Sequence, residues 1–178
     1  MSTTGRDTSY PRIRYLSDRG NQAARFRSVD TAPDLVAPSG DRTSFLATHA
    51  STDGQYGLYR VDMPSGSPGP AVHFHRTISE SFFVMSGRVA LFDGECWRTG
   101  RPGDFMFAPP GALHSFRNVA DETSSMLMIF APGAAGREQY FSEMTEMVLR
   151  GGDELREFRR WHDGFYPDKI DDESQNMR

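Results

Sequence analysis

The stretch HFHRTISESFFVMSGRVALF, residues 73–92, decides the fold. Two runs rich in aromatic and β-branched residues, Glu80 to Met85 and Arg88 to Phe92, flank Ser86-Gly87, which reads as the turn of a hairpin. On a strand alternate side chains share a face, so an inward Glu80 takes Phe82 and Val84 with it and leaves Phe83 and Met85 outside.

The same pattern extends outward on both sides. Short strands are expected over 42–49, 55–63, a segment holding His73 and His75, then 104–108, 114–119 and 124–130. Residues 64–70 form a loop of Pro, Gly and Ser, and Asp93-Gly94 marks a second turn. No long helix is expected before residue 136, which excludes a doubly wound α/β fold and leaves an all-β sandwich or barrel. After Pro132 the period becomes helical. Tyr140, Phe141, Met144, Met147 and Val148 make a stripe over 137–149, Gly151-Gly152 ends it, and Leu155, Phe158 and Trp161 suggest a second short helix. The organisation read from these signals is an N-terminal arm (1–22), a β-barrel domain (23–132), a C-terminal helical segment (133–167) and a polar tail expected to be disordered (168–178).

Composition bounds the function. With 178 residues, 13 Phe and 37% hydrophobic residues the chain can bury a core without staples. A formal net charge of -4 argues against a general nucleic-acid binder. Cys96 is the only cysteine, so neither an intrachain disulfide nor a thiolate metal cluster is available. No apolar run approaches 18 residues and the first residues resemble no signal peptide, so a cytoplasmic protein with no membrane partner is expected.

Three of the five histidines fall in two short runs. His73 and His75, two apart on a strand, present both imidazoles on one face. Glu80 follows a short polar turn and can bring its carboxylate back toward them. His114 starts a separate strand after the rigid bend Pro109-Pro110-Gly111. Imidazoles with one carboxylate suit Fe2+, Mn2+, Ni2+ or Zn2+ better than calcium or magnesium. Four such ligands leave an octahedral metal two positions for water, oxygen or a chelating substrate. His49 is expected to be structural, and His162 and Asp163, adjacent on a helix, face different ways and are not expected to act as a pair.

These residues resemble the two signature motifs of the cupin superfamily. The first pairs H-x-H with a Glu after four further residues and a Gly after six more, here His73, His75, Glu80 and Gly87. The second, G-x5-P-x-G-x2-H-x3-N, is matched by Gly103, Pro109, Gly111, His114 and Asn118. One position departs: Ser67 stands where the first motif has a leading glycine, with Gly66 and Gly69 beside it. The resemblance implies a small single-domain jelly-roll barrel, a double-stranded β-helix. It also implies one divalent transition metal per chain on His73, His75, Glu80 and His114, and a homodimer formed through strand edges and N-terminal segments. Asn118 is read as a hydrogen-bond partner for a turn or for a ligand and not as a catalytic group.

Tyr59, Phe82, Phe116, Met126 and Met128 are candidates to line an apolar cavity around the metal. Such a cavity suits an apolar or aromatic small-molecule substrate. No inward cluster of Lys or Arg is visible near the motifs, with Arg60 and Arg76 the nearest candidates, which weakens the case for a sugar phosphate. The first expectation is an iron-dependent dioxygenase cleaving a flavonol-like, diketone or enediol substrate that chelates the metal, with Glu80 as ligand or base. The second is a non-redox cyclase or isomerase, and the third a small-molecule-binding protein without catalysis. Trp161, Phe165 and Tyr166 are expected either to cover the cavity or to dock the terminus.

Overall fold

From Gly57 to Met63 every second residue is buried and the others are half-exposed, the pattern of a strand with one face on a core. The structure, a computed structural model, describes residue 11 and residues 13–167. The expected tail at 168–178 and the first ten residues of the expected arm lie outside the described residues. Among the described residues the strands are β1 (Leu35–Val36), β2 (Arg42–Ala47), β3 (Gly57–Met63), β4 (Ser79–Ser86), β5 (Val89–Phe92), β6 (Trp97–Gly100), β7 (Phe105–Ala108), β8 (Ser115–Asn118) and β9 (Ser124–Ala131). A one-turn helix α1 (His49–Thr52) precedes β3, and α2 (Arg137–Arg150) and α3 (Gly152–Trp161) follow β9.

All strand pairs are antiparallel. One sheet runs β1-β2-β3-β9-β4-β7 and the other β6-β5-β8, giving a jelly roll with a C-terminal helical extension. The inner faces meet in a core of Tyr59, Val61, Met63, Phe82, Val84, Val89, Leu91, Met126, Met128 and Phe130. Phe82 and Val84 are fully buried, and each such side chain contributes about 1.5–3 kcal/mol relative to exposure. Phe83 and Met85 face outward, as the alternation requires.

Three local differences from the sequence reading have physical causes. The strand expected over 42–49 stops at Ala47, because Thr48 caps α1 through a reciprocal capping box with Ser51. The segment holding His73 and His75 is not a full strand. It makes single antiparallel bridges, His73 to His114 on one side and Phe74 to Phe165 on the other. Strand β6 was not expected at all. Its hairpin with β5 is held by the Asp93 carboxylate, which accepts from the backbone N–H groups of Glu95 and Cys96.

Asn118, buried, acts as a latch. Its Nδ2 donates to the carbonyls of Met63, Pro64 and Glu122, while its Oδ1 accepts from Ala120 N–H and Ser124 Oγ. Gly87 has a φ of 71°, and a Cβ there would lie 2.2 Å from Ser124 Oγ. Gly103 has a φ of 98° but open space around it. Alanine at Gly103 should therefore cost only the backbone penalty, about 1–2 kcal/mol, whereas alanine at Gly87 should add an overpacking cost of about 1–3 kcal/mol. Urea unfolding of the two variants, with unchanged slope, checks the ordering.

Candidate metal centre

His73 and His114 face each other across their antiparallel bridge, His73 N–H donating to His114 O at 3.1 Å and His114 N–H to His73 O at 2.9 Å. Each imidazole then turns its Nδ1 to the carbonyl two residues back, Ala71 O for His73 and Ala112 O for His114, both at 2.9 Å. Period two places His75 on the same side as His73, with Phe74 turned away to stack on Phe165. The Nδ1 of His75 reaches a distant partner, the carbonyl of Asp163, at 2.6 Å. A ring N–H that donates from Nδ1 leaves Nε2 as a lone pair, so all three imidazoles offer Nε2.

Glu80, the second residue of β4, points into the same place. Its Oε2 lies 3.2 Å from His75 Nε2 and 2.9 Å from His114 Nε2. Ligand atoms of His73, His75, Glu80 and His114 all fall within 4.8 Å of one another, and all four residues are buried. With every Nδ1 committed as a donor, the inward atoms are all acceptors. Acceptors brought this close need a proton or a cation among them. Three imidazole nitrogens and one carboxylate oxygen are the donor set of a borderline divalent transition metal, so the cluster can hold one metal ion.

The electrostatics agree. Burial, aided by the neighbouring His114, pushes the His73 imidazole down to about 3 and keeps it neutral at physiological pH. Burial alone would raise the Glu80 carboxyl, but a proton on the Nε2 of His114 or His75, shared with Oε2, overrides it and holds the group well below the usual carboxylate range. Burial likewise works against a charge on His114, yet its bond to Glu80 raises it.

Three of the four cluster residues, His73, His75 and Glu80, form the floor of a cavity of about 660 Å³. Val61, Met63, Phe116, Met128, Phe130 and Phe141 supply apolar wall. Of the side chains expected to line it, Phe116 and Met128 do. Tyr59, Phe82 and Met126 do not: they are packed in the core behind the wall. Phe82 lies with its ring 5.8 Å from that of His114 and supports the ligand from beneath. Tyr59 gives its hydroxyl to Glu138 at 2.7 Å.

The expectation of no inward cation needs correction. Arg60 pairs with Asp62 on its own strand, and exposed Arg76 lies over Phe165. The guanidiniums that line the cavity are those of Arg137 and Arg159, from α2 and α3. A signal for Arg137 was present, since it lies three residues before Tyr140 and four before Phe141 and so shares their helical face. The terminal aromatics divide their roles: Tyr166 stacks on His73 at 5.1 Å, Phe165 docks on Phe74, and Trp161 is 85% exposed.

Asp163 is the residue that sequence reasoning missed most plainly. It sits at a φ of 60°. Its carbonyl orients His75, and its carboxylate accepts from Arg76 N–H, Thr77 N–H and Thr77 Oγ, pinning the turn between His75 and Glu80. No side-chain motif announces a backbone carbonyl 88 residues away.

Residues 59–130 match the Cupin domain family. The matched segment is similar to a cupin domain. Among curated relatives, this chain is 28% identical over 125 residues to quercetin 2,3-dioxygenase of Bacillus subtilis (strain 168), covering 62% of this chain and 36% of that protein. It is 34% identical over 73 residues to an uncharacterized protein of Aquifex aeolicus (strain VF5), covering 40% and 59% of the two chains. The chain thus spans less than two thirds of either relative's length. An RmlC-like cupin from Shewanella frigidimarina superposes with a TM-score of 0.54 over 67% of this chain and 97% of that one, at 20% identity, a likeness of fold.

Two outcomes follow for this site. Replacing Asp163 with Ala removes the carboxylate that ties the tail to the ligand turn, and should weaken metal binding about tenfold in a chelator competition. The second concerns acid. His73 is neutral in the folded state down to about 3, while an unfolded histidine protonates near its ordinary value of 6.5, so the unfolded state binds more protons between the two. Stability of the metal-free protein should therefore fall by roughly 1.4 kcal/mol per pH unit below about pH 6.5. The raised His114 adds no slope in that window, because its stabilisation is already complete below the unfolded value. Urea midpoints at pH 7, 6 and 5 measure it.

Proposed function

We propose that this cupin is a metal-dependent dioxygenase that cleaves a small aromatic, flavonol-like, diketone or enediol substrate bound to the metal through its own oxygens. The observation that carries the reading is the convergence of three imidazole Nε2 atoms and the Glu80 carboxylate at the floor of a largely apolar cavity. The likeness to a quercetin 2,3-dioxygenase supports it. The metal we assign is Fe2+, with Ni2+, Mn2+ and Zn2+ as the alternatives that elemental analysis separates. When bound, it supplies Lewis-acid polarisation of the chelating oxygens and, for iron, redox chemistry toward O2.

The chain's own residues do the rest. His73, His75 and His114 are held with Nε2 turned inward by their carbonyl partners. Glu80 uses Oε2 toward two imidazoles, and its Oε1 has no hydrogen-bond partner among the described residues. Oε1 is the acceptor for the proton of an entering substrate hydroxyl, which makes Glu80 the base as well as a ligand. Phe116, Met128 and Phe130 hold the substrate ring and keep water from it. We assign a homodimer contact to the outer face of the β4–β7 edge, where Phe83 pairs with Phe105 and both, with Phe107, are exposed.

His75→Ala should lose stoichiometric metal on gel filtration while keeping the wild-type circular dichroism spectrum. With quercetin as the probe, the iron-loaded protein should consume O2 in an oxygen electrode and the His75→Ala protein should not. Turnover of an enediol or diketone under argon would replace the dioxygenase reading with the isomerase or cyclase. Tight binding of such compounds without turnover in air or argon would leave a binding protein.

A further inference from the structure

Arg137 is 3% exposed, yet no carboxylate pairs with its guanidinium among the described residues. Its single hydrogen bond runs from Nη2 to the carbonyl of His162 at 3.2 Å. Its plane lies over two rings, 4.5 Å from the centroid of Phe130 and 5.0 Å from that of Tyr140. The acid next to it in sequence, Glu138, is taken by the Tyr59 hydroxyl. A guanidinium with five N–H donors, one carbonyl partner and two ring faces is a charge only partly compensated, and such charges persist where something else pairs with them. Arg137 lines the cavity together with His73, His75 and Glu80. The ring of Phe130 separates it from the ligands, lying 6.0 Å from the ring of His75.

A second cation stands at the same cavity. Arg159 lies over Tyr166 at 4.0 Å, and its buried Nε has no hydrogen-bond partner. Neither acid of the cavity forms an ion pair with these guanidiniums among the described residues. Glu80 belongs to the ligand cluster, and Asp41, at the wall, accepts from Ser67 Oγ. A divalent metal on one carboxylate would leave the floor positive as well.

We propose that the substrate carries a carboxylate, that Arg137 receives it in a bidentate fork with Arg159 as the outer cation, and that the metal end and the acid end of the substrate are separated by an apolar or aromatic body lying along Phe130. This deepens the dioxygenase reading and rests on it for the metal end only. The planar fork of Arg matches a carboxylate better than a point charge does.

The test uses a probe pair that needs no chelation: 3-phenylpropanoate and its uncharged isostere 3-phenylpropanamide, titrated by calorimetry into wild-type protein, nickel-loaded and metal-free. The wild type should bind the acid about tenfold or more tightly than the amide in both states. In Arg137→Gln the ratio should fall to near one through loss of acid affinity alone, with the amide unchanged. Arg137→Lys should keep part of the preference, and it serves if the glutamine variant does not fold. Equal binding of the two probes by the wild type, binding of neither, or a preference that persists in Arg137→Gln would each overturn the proposal. A preference seen only with nickel present would mean that the acid goes to the metal, and would overturn it too. Loss of metal binding or of O2 uptake strikes the dioxygenase reading instead, because the metal-free titration does not depend on it.

Discussion

Each of the three imidazoles commits one ring nitrogen to a backbone carbonyl, and the site depends on that commitment. Without it the rings could turn, exchange tautomers or pair with one another, and three histidines beside a glutamate would settle as an ordinary hydrogen-bonded cluster. With Nδ1 occupied, the interior presents only acceptors. The His73–His114 bridge gives the arrangement a local symmetry, since two residues on facing segments each bond to the carbonyl two positions back. Mutual repulsion of the lone pairs has to be borne by something rigid. Here the frame is a jelly roll whose β4 also carries Glu80 and whose β8 begins at the residue after His114.

The barrel and the C-terminal helices contribute different things. The barrel supplies the ligands and the apolar floor. The helices supply an outer wall of Tyr140, Phe141 and Met144, and with it the cationic side chains. Setting each guanidinium against aromatic faces offsets part of its desolvation without using up its donors. An apolar cavity is thereby given one metal-binding end and one cationic end, a polarity that neither part of the chain has alone.

What the sequence made legible follows from how local each signal is. The pair His73 and His75 and the return of Glu80 are encoded within eight residues, and alternation carried Phe82 and Val84 inward with Glu80. The α2 stripe showed through its period. Harder to read were features whose partners are remote or carry no side-chain signature. Strand β6 is four residues with only its two ends buried, so alternation is absent. Asp163 acts on His75 through its carbonyl, and any residue has one. Arg137 was hidden for another reason, since a charged residue at the first turn of an exposed-looking helix reads as solvated unless the stripe is followed back to it. Tyr59, Phe82 and Met126 share a face with true wall residues, but alternation cannot tell the wall of a cavity from the core behind it.

The remote partner of His75 makes the tail a component of the site and not an appendage. His75 Nδ1 and the carbonyl of Asp163 lie 2.6 Å apart, the Asp163 carboxylate takes three donors from the turn that follows His75, and the Phe74–Phe165 bridge ties the same two segments through both backbone bonds at 3.0 Å. Burial alone would raise the Asp163 carboxyl, but those donors hold it below the ordinary range, so the clasp is fully formed at neutral pH and loosens only in acid. Two binding events that share one side chain are coupled in both directions. A cation on His75 Nε2 strengthens the Nδ1 donor and so the hold on residues 162–167; a docked tail fixes the ring and so the cation. Since Tyr166 belongs to that tail and Arg159 lies over its ring, the geometry of the cavity's outer end is set in part by what occupies its floor.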